Sequence, residues 1–561
     1  MLAAIVILIG VVVVSKVLRH MLAVVVMSMA VVFAFAIAPG TARAADTGAI
    51  TVDGTVATRY DAYQLFSATV VDDADADQKV ATDVVWANDT VRQAALPVLH
   101  DAGLDNSAST AQEAAEWMDA DGHMTTALTA KLARSLQSSG AVPVALSAGR
   151  AAGLSCGYWL IVADDDAIAQ GEAGTAPIMA LVGGSAVTVK PKAATPKVAK
   201  HVLEGGTAAW QKAADATVAD DLYWRLSATV PAGLTAYDTY TVRFVDTMSA
   251  GLDPSKVAAS MRVYAAAGAD GGFDAVSAGK DGRAGTEPAK GWTDITAQCG
   301  VSVEGNAFTV RTGDLIAALG GADAFTAGAR VVAVYNAPLS SACSHGIAKG
   351  NPNEVYLRYP CSPFADQSGD AGFTRTPSDD ACAYTWGLSL IKRSSSDDKP
   401  LAGAKLRIID DRGRILTTDG SWSTDADACV TTGADGHVEL SGVDAGLYTV
   451  EEVAAPKGYT AFEGKRTVTV ASEGLDVKQV AAAKPKVTVS AESPLRVDTA
   501  DAGTGSIELS VLNTPSKEAS RGFMPSTGDR TLVLVAVLAA IGVAAIVVAL
   551  VIKRGAGRGE K

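Results

Sequence analysis

The sequence predicts a mainly β protein: tandem immunoglobulin-like β-sandwiches behind a mixed α+β N-terminal domain, with an apolar membrane segment at each end. Three observations predict it. Between residues 45 and 522 the chain reads as short alternating apolar and polar runs broken by Gly, Asp, Ser and Pro, the pattern of antiparallel sandwiches rather than βαβ units. One stretch departs from this, residues 109–138, where Ala114, Trp117, Met118, Leu128, Leu132 and Leu136 recur at helical spacing around the break Asp119-Ala120-Asp121-Gly122. Finally, only two stretches are apolar enough to meet a bilayer, and both are terminal.

From Met1 to Ala38 the chain is nearly all apolar apart from Ser15-Lys16-Val17-Leu18-Arg19-His20, and it closes on Pro39-Gly40-Thr41-Ala42-Arg43-Ala44-Ala45. That is the layout of an export signal: a basic n-region, an apolar h-region from Met21, and small-x-small cleavage after Ala44. The extra run Met1–Val14 is either a mis-assigned start or an additional membrane segment. At the other end Thr531–Ile552 is 22 residues without a charge. At ~1.5 Å per residue it spans about 33 Å, enough for a bilayer core. Lys553, Arg554, Arg558 and Lys561 behind it place the C-terminus in the cytoplasm. The bulk of the chain is therefore expected outside the cell. Its length suits three domains, 46–190, 191–383 and 384–515, followed by a stalk and motif at 516–530, the span 531–552 and a basic tail 553–561. The first joint is the Pro/Lys/Ala-rich Lys190–Lys197 and the second a loop across 361–383.

A net charge of −14 argues against nucleic acid as a partner. The six cysteines are far apart, with no C-x-x-C and no neighbouring His, so no metal site or other cofactor is expected. In an oxidising exterior some should pair; Cys361 with Cys382 and Cys299 with Cys343 are the expected pairs.

Strand parity carries the chemistry. Side chains alternate along a strand, so Trp386, Leu388, Leu390 and Lys392 share a face. So do Ile507, Leu509, Val511 and Asn513, and likewise Tyr448, Val450 and Glu452. A lysine, an asparagine and a glutamate thus end core-facing stripes in one domain, although buried Lys and Glu are rare unless paired. Each alone would read as a strand end snorkelling to water. Together they suggest that a neutral Lys392 amine attacks the Asn513 amide carbonyl, while a neutral Glu452 hydrogen-bonds the developing oxyanion and shuttles protons. The product would be an internal isopeptide, with loss of ammonia.

Lys392, Leu401-Ala402-Gly403-Ala404, the run Gly446-Leu447-Tyr448-Thr449-Val450-Glu451-Glu452-Val453-Ala454-Ala455-Pro456-Lys457-Gly458-Tyr459, and Asn513-Thr514-Pro515 resemble the collagen-adhesin B-type domain of pilins. That family's glutamate, four residues before the Pro, falls on Glu452. The middle domain repeats the stripe pattern: Val198, Lys200 and Val202; Tyr240, Val242, Phe244 and Asp246; Asn353, Val355, Leu357 and Tyr359. Phe244–Leu252 and Gly350-Asn351-Pro352-Asn353 resemble the second domain of backbone pilins, implying a Lys200–Asn353 isopeptide assisted by Asp246. Asn351 has the same parity and stays open as an alternative.

Met524-Pro525-Ser526-Thr527-Gly528, followed at once by the apolar span and basic tail, resembles a Gram-positive cell-wall sorting signal, with Met where Leu is usual. Sortases of that system cleave between Thr and Gly and pass the acyl group to an amine. Val187-Thr188-Val189-Lys190-Pro191-Lys192 resembles the pilin motif, though Lys190 stands where that family has Tyr; Lys190 and Lys197 are alternatives to Lys192. Tyr60-Asp61-Ala62-Tyr63-Gln64-Leu65-Phe66 looks like the start of backbone pilins. The whole resembles the shaft subunit of a sortase-assembled pilus. It implies a structural rather than enzymatic role, with Thr527–Lys192 amides between copies. The implied partners are a pilin-class sortase, other copies of the chain, minor pilins, peptidoglycan through a housekeeping sortase, and a host surface ligand. The rival reading is a monomeric wall-anchored adhesin.

Two enzyme-like signals fall away. Gly153-Leu154-Ser155-Cys156-Gly157 fits G-x-S-x-G but runs into the strand-like Tyr158–Val162, where a nucleophile elbow needs a helix. Asp72–Asp77 lacks the glycine and the closing Glu of a calcium loop.

Overall fold

The computed structural model describes residues 47–516, except for short stretches at 54–58, 74–77, 121, 148, 169–170, 192–194, 206–208, 233, 269–290, 322–323, 326–327 and single positions 364, 366, 368 and 371, together with Ile546 and Val548. The expected leader, Lys192, the sorting motif Met524–Gly528 and nearly all of the C-terminal apolar span lie outside the described residues. Among those residues no helix is long and apolar enough to cross a membrane.

The first body is an eight-stranded sheet built around the long strand Arg59–Asp73, with helices Asp89–Asp101, Ala111–Asp119 and Thr126–Ser138 packed on one face. Each helix begins where a side chain satisfies its open amides. Asn88 accepts from Val91 N at 2.9 Å, Thr110 and Glu113 form a reciprocal capping box, and Thr125 accepts from Leu128 N at 3.1 Å. Thr47–Val52 pairs parallel with Val187–Val189 and so closes this sheet just before the joint.

The second body is a sandwich. One sheet contains Lys197–Glu204, Tyr223–Val230, Ala329–Asn336 and Arg262–Ala267. The other contains Arg243–Met248, Asn351–Pro360 and Asp379–Tyr384. Trp224, Phe244, Phe308, Tyr335 and Tyr359 are buried in the core between them. In the third body the first strand, Trp386–Ser394, runs parallel to the last, Ser506–Pro515. They face a sheet holding Lys405–Ile409, Gly446–Ala454 and Lys465–Glu473.

Two expectations are corrected here. The stretch 361–383 is not simply a linking loop, because Phe373–Arg375 and Asp379–Tyr384 both pair with the Asn351–Pro360 strand of the second body. Neither disulfide forms: Cys299, Cys343 and Cys382 are thiols. Cys382 pairs opposite Pro352 at the start of that strand, whereas residue 361 follows its far end. Nine strand residues separate them by roughly 30 Å, against the ~7 Å limit between bridged Cα atoms. Cys299 likewise adjoins Gly300, which pairs with Arg311, the residue opposite Arg243 at one end of the Arg243–Met248 strand, while Cys343 lies against Gly251 beyond its other end.

The second and third bodies meet through an apolar cluster of Ala213, Cys382, Tyr384 and Leu475 and through polar contacts. Trp386 Nε1 and Ser472 Oγ donate to Asp215 at 2.9 and 2.6 Å, and Arg414 grips Asp220 with two bonds of 2.6 and 2.8 Å. Gly442, at φ +76°, is required here: a Cβ would sit 2.0 Å from Val218 Cγ2. Asp444 lies in the same junction. Burial first, then the Asp215 and Glu204 charges, hold its carboxyl well above the usual range, and its Oδ1 is buried without a hydrogen-bond partner. The folded state therefore holds a proton that the unfolded chain releases near pH 3.8. Stability should fall as pH rises from there through the folded value. Asp444→Asn should flatten that decline and raise the melting temperature at pH 8 more than at pH 4.5; an equal shift at both would contradict it.

Candidate functional site

In the third sandwich Lys392 and Asn513 sit on adjacent parallel strands two residues apart in register, since Lys392 faces Val511 and Asn513 faces Ser394. Both point inward by the alternation that buries Leu390, Leu509 and Val511. Glu452 comes from the opposite sheet, opposite Leu406. The Lys392 and Glu452 side chains have no solvent exposure. Lys392 Nζ donates to Asn513 Oδ1 and lies 3.1 Å from Glu452 Oε1. Asn513 Nδ2 donates to that same oxygen at 2.7 Å, and Phe462 N donates to Oε2 at 2.9 Å, which fixes the carboxyl. Burial lowers the Lys392 amine to about 8, with Glu452 opposing the shift.

A neutral amine is a nucleophile, and here it rests against the carbonyl it would attack. Glu452 touches the amine and the amide nitrogen, not the amide oxygen. It can therefore take the proton released at Nζ and deliver it to departing ammonia; the expected contact to the oxyanion is not the one the structure contains.

The second sandwich assembles a lysine, a carboxylic acid and an asparagine differently, the acid being an aspartate. Lys200 comes from one sheet, Asp246 and Asn353 from neighbouring strands of the other, and the relative exposure of all three is 0%. Lys200 Nζ donates to Asp246 Oδ2. Burial lowers Lys200 to about 8 against the opposing pull of Asp246 and raises the Asp246 carboxyl. Lys200 and Asn353, however, meet through Tyr335, whose hydroxyl lies 2.9 Å from Lys200 Nζ and 2.9 Å from Asn353 Nδ2. The two nitrogens are thus no more than twice 2.9 Å apart. Sequence reasoning missed Tyr335; its place in the alternating run Val331–Tyr335, on the face of Val331 and Ala333, was the available signal. Asn351 is occupied elsewhere: its amide bonds Ser344 N and O, both at 2.9 Å, and Ala383 O at 3.2 Å. The Asn353 strand is not the last of this sandwich, since Asp379–Tyr384 follows it, so a bond here would tie the first strand to an interior one.

Of the remaining candidates, Lys190 is exposed, with Nζ 3.5 Å from Asp53, and Lys197 is exposed at a strand start. Ser155 ends a strand paired with Thr47, and another strand begins at Gly157, so no nucleophile elbow exists. Asp72 is held by Lys79 and Ser185. Among the described residues no His, Cys, Asp and Glu cluster could hold a metal.

Residues 387–484 match the SpaA prealbumin-like fold domain, a span that includes Lys392 and Glu452 and stops before Asn513. No curated protein matches the sequence. Among solved structures the chain is similar to the T6 backbone pilin of serotype M6 Streptococcus pyogenes (14% identity over 85% of this chain and 100% of that one, TM-score 0.47). It is also similar to the full-length major pilin SpaD of Corynebacterium diphtheriae (14%, covering 84% and 98%, TM-score 0.41), and to the pilus 2b backbone protein of group B streptococcus (20%, covering 55% and 98%, TM-score 0.37).

Proposed function

We propose that this chain is the shaft subunit of a sortase-assembled pilus on a Gram-positive cell, with Lys392–Asn513 and Lys200–Asn353 as internal isopeptides. The observation that carries the reading is the fully buried Lys392–Glu452–Asn513 set, in which one carboxyl oxygen touches both the amine and the amide nitrogen. A covalent tie between first and last strands gives a module that cannot unzip from its ends under load. That is a property of a load-bearing fibre rather than of a catalyst. The sequence supplies the remaining parts: Met524-Pro525-Ser526-Thr527-Gly528 for sortase cleavage after Thr527, and Lys192 as the acceptor amine on the next copy. Anchoring to peptidoglycan through a housekeeping sortase, attachment of minor pilins and adhesion to a host surface belong to the same reading.

Blotting wall extracts with antibody to this chain tests it. Wild-type cells should give a high-molecular-weight ladder, and cells lacking the pilin-class sortase should give monomer alone. A wild type that already gives monomer alone identifies the wall-anchored adhesin instead.

A further inference from the structure

In the third sandwich one acid reaches both ends of the reaction; in the second it does not. Asp246 bonds Lys200, but its other oxygen, Oδ1, is buried without a partner, and Asn353 Nδ2 bonds Tyr335 instead. Aspartate is one methylene shorter than glutamate, and Asp246 faces Val355 rather than Asn353 across the strand pair. The gap is filled by a phenol: Tyr335 Oη lies 3.1 Å from Asp246 Oδ2, 2.9 Å from Lys200 Nζ and 2.9 Å from Asn353 Nδ2. Its ring is fully buried and packed edge-on against Phe308, with centroids 4.7 Å apart, so the hydroxyl is held in place.

We infer that Tyr335 is a catalytic residue of the second sandwich, carrying the proton from Asp246 to the leaving nitrogen of Asn353. The inference rests on the isopeptide reading of Lys200 and Asn353. Lys200 Nζ bonds to the Asn353 Cγ and gives up one proton to Asp246. Asp246 passes its own proton to the Tyr335 oxygen as Tyr335 releases its hydroxyl proton to Nδ2. The Cγ–Nδ2 bond breaks, ammonia leaves, and Asp246 and Tyr335 end as they began. Burial keeps the Asp246 carboxyl raised and the phenol protonated throughout, so the tyrosine exchanges protons without becoming a phenolate. Glu452 does both halves of this work alone.

The test is Tyr335→Phe in the full exterior chain, followed by peptide mapping of freshly purified protein and of samples incubated over days. The ring packing survives and only the hydroxyl is lost. The Lys200–Asn353 link should form about 100-fold more slowly than in wild type, the lower end of general acid–base contributions. The Lys392–Asn513 link should be complete, serving as an internal control. Formation of the first link at the wild-type rate would overturn the role. A fluorinated tyrosine placed at 335 separates proton carriage from mere spacing, and also serves if the Phe variant does not fold. Its more acidic phenol should shift the pH profile of linking, and an unshifted profile would overturn the role. A wild type without the Lys200–Asn353 link removes the isopeptide reading and the role together. A link that forms as fast in Tyr335→Phe as in wild type removes the role alone.

Discussion

Glu452→Ala should yield a third sandwich one ammonia heavier than wild type and about 5 kcal/mol less stable. The link spans 121 residues, and by analogy with a disulfide closing a loop of that size its loss costs about 5 kcal/mol through the unfolded chain's entropy. For a body of this size that is a drop of roughly 15 °C in melting temperature. Removing the acid also strips Lys392 and Asn513 of a shared buried partner, which adds to the loss. Glu452→Gln separates the two effects, since an amide fills the same space and can hydrogen-bond but cannot relay a proton. It should remain unlinked with a smaller loss of stability. A linked Glu452→Gln would reduce Glu452 to a positioning group. In either variant the Lys200–Asn353 link, in another sandwich with its own acid, should be untouched.

Lys192→Arg should abolish the ladder while leaving monomer anchored through Thr527. A sortase acyl-enzyme is resolved by an amine, and a guanidinium keeps the charge without being that nucleophile. The acceptor must be reachable, and Lys192 falls in sequence between the last strand of the first body, Val187–Val189, and the first of the second, Lys197–Glu204. Lys200, by contrast, has no exposure. A C-terminal donor joined to an acceptor between two bodies is a head-to-tail contact, which propagates an open fibre rather than closing a ring. Peptide sequencing of wild-type fibres should find Thr527 on the Lys192 ε-amine. An undiminished ladder in the variant would move the role to Lys190 or Lys197.

Parity alone singled out Lys392, Glu452 and Asn513, because all three extend stripes of alternate residues that are buried along their strands, even though Ile391 and Ser510 of the other parity are buried too. The same logic reached Lys200, Asp246 and Asn353 but not Tyr335. A buried tyrosine in an apolar run looks like ordinary core, and nothing in one strand tells which strand of the opposite sheet its hydroxyl will meet. Parity also left Asn351 and Asn353 alike, and only the Ser344 loop, brought close by the fold, gives Asn351 a separate use. In the first body the expected helical stretch at 109–138 divides into two helices near its Gly122 break. The structure adds a helix, Asp89–Asp101, beyond those expected from the sequence; Pro97 lies inside it, and Asn88 with the spacing of Val91, Ala94, Ala95 and Leu99 gives it a cap and a buried face. The cysteine pairs failed because composition suggests oxidation while register alone decides proximity.

The most direct measurement is the intact mass of the purified exterior chain, with peptide mapping of the sites. The account predicts a mass two ammonia equivalents below that of the sequence, with Lys392 joined to Asn513 and Lys200 to Asn353; a mass equal to that of the sequence, with both lysines free, would contradict it.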